Sequence, residues 1–320
     1  MNSLKATDEN IKKAAEIIKT GGLVSFPTET VYGLGADALN ETAVARIFEA
    51  KERPSFDPLI VHVDSIAMME PLIEDFPDKA FLLAEKFWPG PLTLVVPRSK
   101  MIPDIVTSGL PTVAIRMPDH EVARQLIHES QRPIAAPSAN PFGYLSPTTA
   151  DHVSQQLGSR VDMILDGGAS TVGVESTIIL CRDDELFLLR PGGISLEEIE
   201  DWAGPVQKEM GEHVKPLAPG QLPWHYAPLT RVEIVEKITG ETEDCAYLYF
   251  KKPLHKTGVN SLFLSEDGNL RRAAASVFSA LHKLDKAGKK IIYVEEVPSE
   301  GLGLAIMDRL KKASKKGIRS

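Results

Sequence analysis

The sequence predicts an α/β fold built on a mixed sheet, joined by a linker to a second, smaller α/β unit. Three observations lead there. Over roughly the first two hundred residues, short apolar runs of strand length mingle with amphipathic helical patterns without strict alternation. After Trp202 the composition changes: Pro205, Pro216, Pro219, Pro223 and Pro228 punctuate a stretch with little periodicity. Prolines at that density hold a chain extended and prevent a helix. Beyond them the strand and helix patterns return, and 320 residues suit two domains or one large one. The expected division is 1–204, a linker over 205–230, and 231–320.

In order, residues 7–20 read as a helix, with Ile11, Ala14, Ala15 and Ile18 on one face and Gly21-Gly22 at its end. Leu23-Val24-Ser25-Phe26 reads as a buried strand within 22–27, stopped by Pro27. Further strands are expected at 58–63, 92–97, 112–117, 133–136, 161–165, 176–181 and 185–190, and helices near 41–50, 77–87, 119–129 and 149–157. The second unit offers strands at 231–236, 246–250, 260–264 and 290–294, and a helix over about 270–286 with Ala274, Val277, Phe278, Leu281 and Leu284 on its apolar face. A last helix over about 303–313 ends in Lys311, Lys312, Lys315 and Lys316, which suit a helix C-terminus and a solvated tail.

A formal net charge of −8 argues against a protein that coats nucleic acid, though not against a local basic cleft. Cys181 and Cys245 stand far apart without metal-ligand spacing, so a reducing cytoplasm is the expected compartment. The N-terminal residues lack the apolar core of a signal peptide, and no run reaches transmembrane length.

The chemistry concentrates at strand ends. Pro27-Thr28-Glu29-Thr30-Val31-Tyr32-Gly33-Leu34-Gly35 places hydroxyls and two glycines at a turn, where the backbone can approach a ligand. Gly33, Gly35 and Ala38 also fit G-x-G-x-x-A, a loose dinucleotide fingerprint; the intervening polar residues argue against that reading. Lys51 and Arg53 end the following helix. Alone they would be ordinary surface cations; beside the polar turn they suit a polyanion. Arg116 lies in the apolar strand Thr112-Val113-Ala114-Ile115-Arg116 and needs a partner. That partner is either an internal carboxylate or a ligand carboxylate or phosphate gripped by two prongs. Ser138 and Asn140, framed by Pro137 and Pro141, are either a plain turn or phosphate ligands. Ser146, Ser176 and Arg190 add hydroxyls and a cation at other strand ends, where open α/β sheets collect ligands. His62 sits in an apolar strand as a core histidine or a substrate contact. In the linker, Trp224, His225 and Tyr226 should dock on something, as domain glue or as a lid. Among these residues no Ser-His-Asp pattern or cysteine nucleophile emerges, which favours phosphoryl or nucleotidyl chemistry by positioning and electrostatics.

The block Phe26-Pro27-Thr28-Glu29-Thr30-Val31-Tyr32-Gly33-Leu34-Gly35, the pair Lys51 and Arg53, and Ser138-x-Asn140 resemble the YrdC-like family. Pro219-Gly220, His225-Tyr226-Ala227-Pro228 and the ending Glu300 to Met307 resemble its two-domain L-threonylcarbamoyladenylate synthases. The resemblance implies a twisted, open mixed sheet with helices as the catalytic domain, followed by a Rossmann-like C-terminal domain. It implies that L-threonine, bicarbonate or CO2, and ATP give threonylcarbamoyl-AMP and pyrophosphate, which feeds N6-threonylcarbamoyladenosine formation in tRNA. It places ATP near Arg53, Asp57, Thr112, Ser138, Ser146, Arg190 and Tyr226, and threonine near Thr30, His62, Arg116, Ala136 and Ser176. Lys51, Arg53, Ser138 and Asn140 form the implied catalytic cluster. No protein metal site is implied; Mg2+ would arrive with ATP. Downstream partners would be the tRNA threonylcarbamoyl-transfer machinery, with weak tRNA contact at most. One departure stands out: the family usually has Asn where this chain has Asp57, and an anion beside a triphosphate needs a compensating cation.

Two other classes compete. A mixed sheet with a cationic concavity suits an RNA-binding module, which the net charge disfavours. A carbamoyl-transfer enzyme using carbamoyl phosphate is the other, but it would be accompanied by acylphosphatase and zinc-finger segments.

Overall fold

The structure is a computed structural model that describes residues 3–209, 216–222 and 225–315. Strands β1 (Ser3–Lys5), β2 (Val24–Phe26), β3 (Gly33–Asp37), β4 (Ile60–His62), β5 (Leu92–Pro97), β6 (Thr112–Arg116), β7 (Ile134–Ala135), β8 (Met163–Asp166), β9 (Thr177–Arg182), β10 (Glu185–Arg190) and β11 (Val206–Lys208) form one 11-stranded mixed sheet. Their order is β1-β8-β2-β3-β7-β4-β6-β5-β9-β10-β11. Helices α1 (Asp8–Lys19), α2 (Glu41–Lys51), α3 (Ile66–Met69), α4 (Asp78–Phe87), α5 (Asp104–Thr107), α6 (Glu121–Ser130), α7 (Ala150–Gln156) and α8 (Leu196–Ala203) accompany it. In α1, the Thr7 hydroxyl caps the Asn10 N–H while Ile11, Ala14, Ala15 and Ile18 are buried, as the spacing predicts. Among the described residues of this unit three cores result: one containing Leu34, Ile47, Val61, Leu94 and Ile115, a second Ile18, Phe26, Leu126 and Leu165, and a third Ile60, Val95, Ile178 and Leu189.

The C-terminal unit has β12 (Arg231–Val235), β13 (Cys245–Lys251), β14 (Ser261–Ser265) and β15 (Ile291–Glu295), with α9 (Leu270–Asp285) and α10 (Gly303–Ser314). Its sheet, ordered β12-β15-β13-β14, is parallel throughout, as a Rossmann-like unit requires. Val277, Phe278 and Leu281 of α9 join Ile306 and Leu310 of α10 in its core, and that core reaches Val31, Leu145, Val174 and Tyr226 of the preceding chain.

Three expectations need correction. Gly33 and Gly35 do not bend the chain; they lie within β3, antiparallel to β2. A Cβ on Gly35 would come within 2.7 Å of both Phe26 and Ile134, so the glycine makes room for neighbouring side chains. A strand here also removes any dinucleotide fingerprint, which needs a helix opening directly after the glycines. The segment after Pro205 is not wholly irregular, because β11 pairs with β10 as an edge strand. Helix α8 was not expected, although Ser195 and Glu198 form a reciprocal capping box.

Candidate active site

Register places the site. His62 of β4 lies opposite Arg116 of β6. Across β5 the pairs Leu94–Ile115 and Leu92–Thr177 carry the row to β9, and Ile178 pairs with Arg190 of β10. Loop residues close the row from above. In the Pro27–Val31 turn, Thr28 Oγ1 accepts from the N–H groups of Thr30 and Val31, each at 3.2 Å, which fixes the direction of Thr30. At the end of α2, Glu52 adopts a left-handed φ of 54° and the Arg53 N–H returns to the Phe48 carbonyl. That turn sends Arg53 inward.

The result is a polar cavity walled by Thr28, Thr30, Gly33, Arg53, His62, Arg116, Ala136, Ser138, Glu175, Ser176, Arg190, Gly220, His225 and Tyr226, among others. Its volume is about 40 Å³, room for a water or two. Pockets that hold small ligands run to roughly 300–1,000 Å³. The roof consists of chain from the proline-rich segment: Pro219, Gly220, His225 and Tyr226. His225 meets Phe142 edge-on with ring centroids 5.5 Å apart, and Tyr226, 1% exposed, lies 5.8 Å from Phe278 of α9. The aromatics therefore dock over the cavity and against the C-terminal unit at once. Trp224 lies outside the described residues.

Burial dominates the electrostatics. Arg53 pairs with Asp57 at 2.9 Å and donates to the Asp57 and Pro58 carbonyls. Burial raises the Asp57 carboxyl, an effect that Arg53 only partly offsets. Arg116 has the internal carboxylate that its strand position demanded: Nη2 is 2.7 Å from Glu29, Nη1 donates to Thr30 Oγ1 at 2.9 Å, and Nε reaches the Gly90 carbonyl. Of the two readings left open for Arg116, the internal carboxylate is present, and it engages one prong of the guanidinium. Arg190 differs. It donates to Ser176, through both the carbonyl and the hydroxyl, and to the Pro219 carbonyl, and makes no ion pair among the described residues. His62 is buried, with its Nδ1 lacking a partner. Burial, and then Arg116, pushes its pKa down to about 3, so the imidazole stays neutral.

Of the residues singled out by sequence, Thr30, Arg53, His62, Arg116, Ala136, Ser138, Ser176, Arg190 and Tyr226 meet on this cavity. Lys51, Asp57, Thr112, Asn140 and Ser146 do not line it. Lys51 is no surface cation: it is 1% exposed, and its ammonium donates to the Ser138 and Asn140 carbonyls from behind. Burial, and then Arg53, holds its pKa well below the lysine range. Asn140 Nδ2 ties the Pro141 and Tyr144 carbonyls. Asp57 backs Arg53, which supplies the cation that the Asn-to-Asp departure called for. Ser146 donates to Glu175 at 2.5 Å. Thr112 opens β6 beside Pro97, at the opposite end of the strand from Arg116. Sequence reasoning assigned no role to Glu29 or Glu175, and it passed over Arg309. The signal for Arg309 was its place on the apolar stripe of α10, three residues after Ile306 and one before Leu310. Lys312, expected in the solvated tail, instead donates to the Gly220 carbonyl at 2.6 Å.

Comparison with known proteins fits this architecture. Residues 16–192 match the family model described as "Telomere recombination", and residues 194–315 match "Threonylcarbamoyl-AMP synthase, C-terminal domain". The threonylcarbamoyl-AMP synthase of Pyrococcus abyssi is 46% identical over 95% of this chain and 94% of its own length. The chain belongs to the threonylcarbamoyl-AMP synthase family. The Bacillus subtilis family member is 44% identical over 98% of this chain and 95% of its own. The crystal structure of P. abyssi Sua5 complexed with L-threonine superposes with a TM-score of 0.90 at 42% identity, covering 98% of this chain and 96% of that one. The family's two-domain form accounts for both sheets.

Proposed function

We propose that this chain is an L-threonylcarbamoyladenylate synthase, a nucleotidyltransferase that converts L-threonine, bicarbonate or CO2, and ATP into threonylcarbamoyl-AMP and pyrophosphate. Family membership supports the reaction. The observation that carries it onto this cavity is Arg190, a buried arginine that makes no direct ion pair among the described residues and shares the Glu175 charge with Arg309. A ligand that brings negative charge offsets its desolvation.

In this reading Arg116 and Thr30 hold the threonine carboxylate through Nη1 and the hydroxyl, while Glu29 fixes the guanidinium. Neutral His62 hydrogen-bonds the amino acid without taking its proton, with Ala136 and Ser176 completing that wall. Bicarbonate takes the ammonium proton and dehydrates to CO2 and water; the freed amine attacks CO2, losing its second proton to solvent, and the carbamate forms. A carbamate oxygen then attacks the α-phosphate, the P–O bond to the β-phosphate breaks, and pyrophosphate leaves. Arg53, Ser138, Arg190 and Tyr226 face the nucleotide, and their charge and hydroxyls stabilise the developing anions. Lys51 and Asn140 hold the Ser138 segment, and Ser146 acts through Glu175. Mg2+ enters with ATP on the phosphate oxygens. Among the described residues, no three His, Cys, Asp or Glu side chains converge as a metal cradle.

The roof serves as a lid. A 40 Å³ cavity does not admit ATP, so the strap over 216–222 and 225–228 swings aside and returns. Closure keeps water from a product that hydrolyses easily. We retain the division into 1–204, 205–230 and 231–320, a cytoplasmic setting, and a tRNA threonylcarbamoyl-transfer machinery as consumer of the product. No helix of the described residues is long and apolar enough to cross a membrane. An RNA-binding module is disfavoured because Arg53, Arg116 and Arg190 are at most 7% exposed, beyond the reach of a polynucleotide backbone. Chromatography of the turnover mixture tests the reading: threonine-dependent pyrophosphate and an AMP adduct are expected, and threonine-dependent ADP would sink it.

A further inference from the structure

We propose that α10 of the C-terminal unit latches the strap and sets the nucleotide wall of the cavity, with Arg309 as the positioning residue. The inference rests on the functional reading above. Arg309 is the largest fully buried side chain among the described residues. Its Nε donates to Glu175 Oε2 at 2.7 Å and its Nη2 to the Pro191 carbonyl at 3.0 Å. Its guanidinium lies 4.8 Å from the centroid of the Tyr226 ring. These contacts touch the cavity wall from behind at three places. Glu175 precedes Ser176 and accepts the Ser146 hydroxyl on its other oxygen. Pro191 follows Arg190. Tyr226 is the roof.

One helical turn later, Lys312 donates to the Gly220 carbonyl at 2.6 Å, while Arg190 of the first sheet donates to the Pro219 carbonyl at 3.2 Å. The strap is therefore pinned from both domains at adjacent carbonyls. Asp308 joins the two cations, 2.9 Å from Lys312 and 2.5 Å from Arg309. Burial opposes the charge on Glu175, but Arg309 and then Arg190 outweigh it and hold the carboxyl below its usual range. Gluing two domains together does not call for such a pair, because a buried ion pair is often no more stabilising than apolar side chains of similar volume. The rest of the α10 stripe, Ile306, Leu310 and Ala313, is apolar. What the ion pair adds is direction: a planar fork that fixes Glu175, Pro191 and Tyr226 relative to one another.

The test uses full-length Arg309→Lys and Lys312→Met beside the wild type. Pyrophosphate release is measured against ATP and against threonine, together with thermal midpoints and substrate-free hydrogen exchange over 217–222 and 225–228. Arg309→Lys keeps the charge and loses the fork. Its kcat/KM for ATP should fall at least tenfold and by more than kcat/KM for threonine, because of the threonine wall only Ser176 adjoins a residue that Arg309 holds. Strap exchange should quicken in both variants. A lowered midpoint with kcat/KM per folded molecule and strap exchange unchanged would reduce the contact to interdomain glue and overturn the proposal. Should Arg309→Lys fail to fold, Lys312→Met at the edge of the contact decides by the same readouts. A wild type that releases no pyrophosphate would overturn the functional reading instead, and the exchange data would still decide the latch.

Discussion

Arg53 and Arg190 face one cavity, yet only Arg53 has a carboxylate of its own. That difference orders the residue-scale expectations. Arg53→Ala should lower kcat/KM for ATP by two to three decades, since removing a charge-assisted contact to a developing anion costs about 2–4 kcal/mol. Steady-state kinetics on the folded variant checks this, and near-normal turnover would demote Arg53 to a brace for Asp57. Lys51→Ala should also lose activity, by a different route. It strips the donor from two buried carbonyls, a loss of about 1–3 kcal/mol in stability, which urea unfolding would register. Arg116→Lys should weaken threonine use more than ATP use, because lysine cannot serve Glu29, Thr30 and Gly90 together. Unchanged threonine dependence with weaker ATP binding would reverse the assignment. At this scale the polar turn, Arg116 and Arg190 were legible because cations and hydroxyls at strand ends stand out against apolar runs. Arg309 was not, because its partners Glu175 and Pro191 lie more than a hundred positions away and only folding brings them together.

The strap is the element on which the closed site depends. Tyr226 holds a left-handed φ of 61°, uncommon for a residue with a side chain, and packs between Arg309, His225 and Phe278. Burial pushes its hydroxyl pKa up to about 12, so it remains a neutral donor at working pH. Tyr226→Ala should impair turnover, and hydrogen exchange at 225–228 should slow further in the wild type when ATP and threonine bind. Equal exchange with and without ligands, alongside full activity of Tyr226→Ala, would leave only a static joint. Most elements were legible from periodicity: the expected runs 92–97 and 185–190 coincide with β5 and β10. Strand β3 was not, since Gly-Leu-Gly-Ala-Asp offers no β-branched alternation and its glycines answer to Phe26 and Ile134 across the sheet. β11 was hidden by neighbouring prolines.

Over the whole molecule, buried and half-buried histidines contribute to the response to acid. His62 and His152 are pushed down to about 3, His282 to about 4, and His225 well below the usual range, each chiefly by burial. His152 and His282 stack at 4.0 Å across the two domains. The unfolded chain binds protons near pH 6.5 while these folded imidazoles do not, so their contribution to stability is flat above about pH 6.5 and falls as pH drops below it. His62 alone should cost about 2 kcal/mol by pH 5. Urea midpoints from pH 7.5 to 5 check this, and a flat profile would contradict the burial. The two-domain plan was legible from the proline-rich stretch. The dependence of one domain's cavity on the other's helix was not, because no local pattern encodes a contact between Glu175 and Arg309.

The most direct test of the account is pyrophosphate release by the purified chain with L-threonine, bicarbonate and ATP each omitted in turn. Release should require all three, because the nucleophile exists only once the amine has captured CO2. Undiminished release without threonine or without bicarbonate would contradict it.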